Sequence, residues 1–265
     1  MDANDTYWLY RPAGSDFAAD EGWRPAWLQK AKSFKRWQAS EQSWGSALEA
    51  ALFDLAGEPL RDGLFPWAAW GAEQAGLSGQ HWAELHLVHW HVSNGQVISM
   101  PPQWPEATQL DRLWDELAEF VAVDGWTLVR QGPERGWIEG PWLQDLPCAS
   151  LDKVMGRPVA HFLPDSGELR RLQSELQMWF YQHPALQTSA RPVNSVWFSG
   201  TGRLTPALKG VLQRLRPLND CEPPSQQWVL CANDTRASLW RTDSASWWQR
   251  WQRRWQPIGL EGKGQ

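Results

Sequence analysis

Six residues around one short apolar stretch, Arg191, Asn194, Ser199, Gly200, Gly202 and Arg203, have the types and spacing of an anion site. Val193 to Phe198 reads as a buried strand. Gly200 and Gly202, placed just after it, are free to take positive φ and bring backbone N–H groups close to a ligand. Thr205 and Pro206 then supply an N-cap and a first-turn proline for a helix through about Leu215. A guanidinium offers paired donors to carboxylate or phosphate oxygens, so the expected ligand is a small phosphorylated or carboxylate species near Arg191 and Arg203. Arg170 and Arg171 also suit an anion, with a solvated helix face as the competing reading. The glycine loop lacks the lysine of a phosphate-binding P-loop and the triple glycine of a dinucleotide site, so a plain strand-to-helix connection explains it too.

A second constellation is histidine-rich. His81, His86, His89 and His91 crowd one stretch, and alternation along a strand puts His89 and His91 on one face, as two ligands of a divalent metal such as manganese would be. A polar strand face with hydrogen-bonded imidazoles and no cofactor has the same pattern. Ser150 is either a nucleophile or the cap of a short helix through Met155, and no base for it stands in its own segment. Cys148, Cys221 and Cys231 show no pairing that would indicate a disulfide framework or a zinc site.

The elements that must position these groups read as α/β, with mixed α+β as the alternative: one globular domain over 44–256, a mixed sheet flanked by helices. Residues 1–43, broken by Pro12, Gly14, Gly22 and Pro25, read as an irregular arm, and 257–265 as a frayed tail. Helical spacing covers Gly45–Gly57 and Pro66–Gly76, then Ala107–Val123 with Leu110, Leu113, Trp114, Leu117, Phe120 and Val121 on one stripe. Alternation on both sides of Asn94-Gly95 predicts a hairpin over His86–Met100. Two strands are expected at Trp126–Arg130 and Gly136–Glu139, and another at Gln227–Cys231. Asp165 and Glu168 suggest a capping box for a helix ending at His183-Pro184. Ser244–Trp255 sets Trp247, Trp248, Trp251 and Trp255 opposite three arginines.

Across 265 residues the formal net charge is −5, which argues against nucleic acid as the partner, because such binding draws on cationic neutralisation of phosphates. No apolar run is long enough to cross a membrane and the first residues do not read as a signal peptide, so a cytoplasmic protein is expected. Twenty-two tryptophans exceed what packing needs and point to a surface for a protein partner.

Leu146 to Arg157, Leu172 to Met178, His183-Pro184, and Pro192 to Gly202 together resemble the bacterial RpfE-type regulatory proteins, and Val88 to Val92 looks like that family's hairpin. Members are often labelled phosphoglycerate mutase, because the order of helix, His-Pro and Asn-Ser-x-Trp-x-x-Gly-x-Gly is similar to part of the cofactor-independent mutases. The resemblance covers 85–215. It implies an α/β scaffold like that of alkaline phosphatase, and in the mutases themselves a two-metal site of Asp, His and a phosphorylated serine. Here residues 1–80 and the last 80 contain no histidine, and the usual asparagine after His-Pro is absent between His183 and Arg191. The expectation is therefore a regulatory or binding protein, a non-catalytic relative of the mutases. Two alternatives stand beside it, a metal-dependent phosphoglycerate mutase or phosphatase and a tryptophan-rich interaction module.

Overall fold

The computed structural model describes residues 6–10, 32–187, 189–218, 227–232 and 235–241. In chain order they form β1 (Tyr7–Tyr10), β2 (Lys32–Gln38), α1 (Ala47–Leu55), α2 (Trp67–Gln74), β3 (Trp82–Ser93) and β4 (Gln96–Met100). There follow α3 (Ala107–Ala122), β5 (Thr127–Arg130), β6 (Arg135–Glu139), α4 (Leu151–Val154), α5 (Gly167–Gln182) and β7 (Ser195–Ser199). The last are α6 (Pro206–Arg214), β8 (Leu215–Pro217), β9 (Trp228–Ala232) and β10 (Arg236–Arg241). The fold is α/β, as the sequence leads one to expect, and divides into two compact units: Met1–Arg36 with Arg214–Ala232 and Ser238–Gln265, and Trp37–Gln213 with Asn233–Ala237. The expected tryptophan helix at 244–255 and the tail at 257–265 lie outside the described residues.

In the first unit a five-stranded sheet has the order β2-β10-β9-β1-β8, with β1 parallel to both β8 and β9 and Tyr7 opposite Leu215 and Trp228. Residues 1–43 are thus not wholly an irregular arm, since they carry β1 and β2. The four-residue β1 pairs with strands some two hundred positions away, so no local alternation or turn marks it. Phe34 packs edge-on against Trp228, centroids 5.0 Å apart, and the Arg241 guanidinium lies 5.0 Å from the same Trp228 ring.

The second unit is built on β3, twelve residues long. Its N-terminal half pairs antiparallel with β6 and β7, its C-terminal half with β4, and β5 extends the sheet beyond β6. These pairings are all antiparallel, and short hairpin connections join β3 to β4 and β5 to β6. The hairpin turns at Asn94 and Gly95, both at positive φ (49° and 74°), as that dipeptide predicts.

Alternation along β3 sorts its two faces. Ala83, Leu85 and Leu87, with Ile138, Val196 and Phe198, pack beneath the apolar stripes of α3 and α5 in the main core. On the opposite face Trp82 and Trp137 pack against Ala68 and Ala72 of α2, whereas Val88 and Trp197 join Ala149, Val154, Val159 and Phe162. Glu84, His86 and Ser199 fall between these two apolar clusters. Helix α5 begins one residue later than the expected capping box: Ser166 accepts from the Leu169 N–H at 3.2 Å, and Asp165 pairs instead with Arg170 at 2.9 Å. Among the described residues no helix is long and apolar enough to cross a membrane.

Candidate functional site

Strand β7 places the six residues expected to hold an anion, and it separates them. Arg191 and Asn194 precede its five residues and Gly200, Gly202 and Arg203 follow, so at about 3.3 Å per residue the two groups stand roughly 15–20 Å apart. One small anion does not reach both. The Asn194 side chain is committed to the sheet: its Oδ1 accepts from the Trp90 N–H at 2.6 Å and its Nδ2 donates to the Trp90 carbonyl at 2.9 Å. Arg191 is tied through its backbone, its N–H to Ser189 Oγ and its carbonyl to the Gln103 N–H.

The glycines serve close packing of the chain against itself. Gly200 and Gly202 have φ of 69° and 122°, as expected. A Cβ at Gly202 would lie 2.1 Å from the Leu64 carbonyl oxygen, and one at Gly200 would meet Trp67, Ala68 and Glu84 at 3.1–3.3 Å. Thr201, fully buried between them, donates to the Leu146 carbonyl at 2.8 Å and lies 3.2 Å from that of Gly63. The helix beyond is already capped. Thr205 Oγ1 accepts from Leu208 N–H at 3.2 Å, Lys209 N–H donates to the Thr205 carbonyl, and Pro206 has no N–H to offer.

Ser199 belongs to a buried polar knot that spacing alone does not show. His86 Nε2 lies 2.8 Å from Ser199 Oγ and 3.4 Å from Glu84 Oε2, and Arg135 reaches the other Glu84 oxygen at 3.5 Å. Burial pushes the Glu84 carboxyl up, yet the hydrogen bond and charge of His86, the Arg135 charge and the Ser199 hydrogen bond outweigh it and hold the group below the ordinary carboxylate range. A serine–histidine–carboxylate relay needs the acid on one ring nitrogen and the serine on the other. Here both meet the same nitrogen, so the knot ties β3 to β7 and does not form a relay.

Ser150 and Cys148 occupy a second buried cluster. The hydroxyl of Ser150 caps nothing; it donates to both Glu49 oxygens at 2.8 and 3.0 Å, while Trp67 Nε1 donates to Oε1 and the Ser46 N–H to Oε2. Burial pushes the Glu49 carboxyl up to about 7 despite these donors, and the charge of Asp152 adds to the rise. Cys148 is a buried free thiol pushed up to about 12 by burial, against a Thr201 hydrogen bond that lowers it. Such a thiol is no nucleophile at neutral pH.

His89 and His91 do share one face, their rings stacked at 6.3 Å and 23°. His89 Nδ1 lies 2.8 Å from the Pro192 carbonyl and so carries the proton that bonds it, leaving Nε2 as its one nitrogen for a metal. Among the described residues no group of three or more His, Cys, Asp and Glu is placed to hold an ion. Arg170 and Arg171 are ion-paired on α5, with Asp165 at 2.9 Å and Glu175 at 2.7 Å.

A cleft of about 900 Å³ lies alongside the glycine loop. Three stretches line it: the end of α2 through Trp82, the turn at Leu143–Asp145, and Gly202 to Lys209. Roughly 300–1,000 Å³ is the size of pockets that take small ligands. Glu73 and Lys209 pair across its side. Gln80, His81, Gln144, Asp145 and Arg203 also line it, and none of their side chains has a hydrogen-bond or ion-pair partner among the described residues. Arg203, singled out by its place after the glycines, and His81, from the histidine-rich stretch, both line this cleft, whereas Asp145 and Lys209 stand in no motif. Against family models, curated proteins and solved structures, the chain finds no match.

Proposed function

We propose that this chain is a regulatory or binding protein, a non-catalytic relative of the cofactor-independent mutases, and that its cleft beside Arg203 takes a small phosphorylated or carboxylate ligand. The observation that carries the reading is the exposed Arg203 guanidinium, without an ion-pair partner among the described residues, at a cleft of about 900 Å³. A guanidinium so placed offers two parallel N–H donors to an oxyanion, whereas Lys209, also at the cleft, is already paired with Glu73. The motif that resembles the mutases supports ancestry rather than chemistry, since Asn194 and Ser199 are taken up in bonds within the fold.

A ligand that binds only the folded state raises the melting temperature. With 3-phosphoglycerate in millimolar excess the wild-type chain is expected to melt higher, and Arg203→Ala to lose the rise while keeping its unliganded melting temperature. Mutase or phosphatase turnover with manganese, abolished by His89→Ala, would refute the reading.

A further inference from the structure

Two unpaired and opposite charges stand at this cleft. Asp145, exposed and at φ 49°, is one of two non-glycine residues at positive φ among the described residues; the other, Asn94, is accounted for by its hairpin turn. Asp145 is in no hairpin, and aspartate is one of the residues that adopts this left-handed turn readily. The turn lies next to the glycine loop. Thr201 Oγ1 bonds the carbonyl of Leu146, the residue next to Asp145, and Arg203 stands two positions beyond Thr201. One hydrogen bond therefore stitches together the two segments that carry the carboxylate and the guanidinium, on adjoining walls. Asp145 and Arg203 nevertheless form no ion pair, and neither has another partner among the described residues.

Resting on the anion reading above, we propose that the ligand is a small zwitterion, its oxyanion on Arg203 and a primary ammonium on Asp145, with Gln80 and Gln144 able to take its remaining polar groups. A simple anion would leave Asp145 facing it as a repelling charge. A zwitterion satisfies both charges, and each contact is a charge-assisted hydrogen bond.

Two probes of equal shape test this, O-phosphoethanolamine and propyl phosphate, in which a methyl replaces the ammonium. Calorimetric titration of the full chain is expected to give O-phosphoethanolamine an affinity about tenfold higher, the worth of one charged hydrogen bond. Asp145→Asn, which tolerates the left-handed conformation equally well, should bring the two affinities together by weakening O-phosphoethanolamine. Arg203→Ala should weaken both. Equal affinities in the wild type, both lowered by Arg203→Ala, would overturn the zwitterion while leaving the anion reading in place. A preference that persists in Asp145→Asn would overturn the assignment of Asp145, and binding of neither probe would overturn both readings.

Discussion

Glu49 ought to make this protein less stable as the pH rises through the weakly acidic range. In the unfolded chain the carboxyl ionises near 4.5; in the folded chain burial pushes it up to about 7. Between those values the unfolded state has given up a proton that the folded state keeps, so raising the pH draws the equilibrium toward unfolding. The contribution is present in full below 4.5 and gone above about 7. At about 1.4 kcal/mol for each pH unit it amounts to roughly 3 kcal/mol. Three donors, from Ser46, Trp67 and Ser150, already favour the charged form, so the shift measures how strongly the closed site, with Asp152 near it, resists the charge.

Glu49→Gln removes the titration while keeping the shape and one acceptor oxygen. The difference in stability between wild type and this variant should therefore move by roughly 3 kcal/mol from pH 4.5 to pH 8, in favour of the variant. For a unit of this size that is a relative change of about 6–12 °C in melting temperature. Thermal melts of both proteins in half-unit pH steps read it directly, because titrating groups that do not interact with Glu49 cancel in the difference. Parallel curves would refute the reasoning, and a wild type that gains on the variant toward pH 8 would reverse its sign.

Other perturbations follow from packing. Gly202→Ala forces a Cβ to within 2.1 Å of the Leu64 carbonyl oxygen at φ 122° and should cost roughly 2–6 kcal/mol in urea unfolding, whereas Gly95→Ala, with open space around it, should cost about 1 kcal/mol. Asn194→Ala strips both hydrogen bonds from the Trp90 backbone and should destabilise by roughly 2–4 kcal/mol, with no change in the affinity for 3-phosphoglycerate if the cleft at the far end of β7 is the site. Ser166→Ala should cost about 1 kcal/mol through loss of the α5 cap, and Asp165→Ala less than about 0.5 kcal/mol, because its only role is an exposed ion pair. Equal costs for the last two would place the cap one residue earlier.

Where a feature depends on neighbours in the chain, the residues alone determine it. Asn94-Gly95 turns the hairpin because positive φ at both positions suits those two side chains, and α3 forms because Leu110, Leu113, Trp114, Leu117 and Val121 recur at helical spacing and are all buried. The strand–glycine–helix order from Val193 to Arg214 was legible for the same reason. Tertiary structure alone decides what those glycines and polar groups do. Gly202 meets the backbone of Leu64, His86 meets Ser199, and Ser150 meets Glu49, pairs 101 to 138 positions apart. Spacing carries no information about such partners, because a side chain's burial and its pKa are set by whichever distant segments the fold brings alongside. The cleft is the clearest instance: Arg203 stands beside a glycine loop visible in the sequence, while Asp145 lines the same cleft on a segment that Thr201 bonds through Leu146.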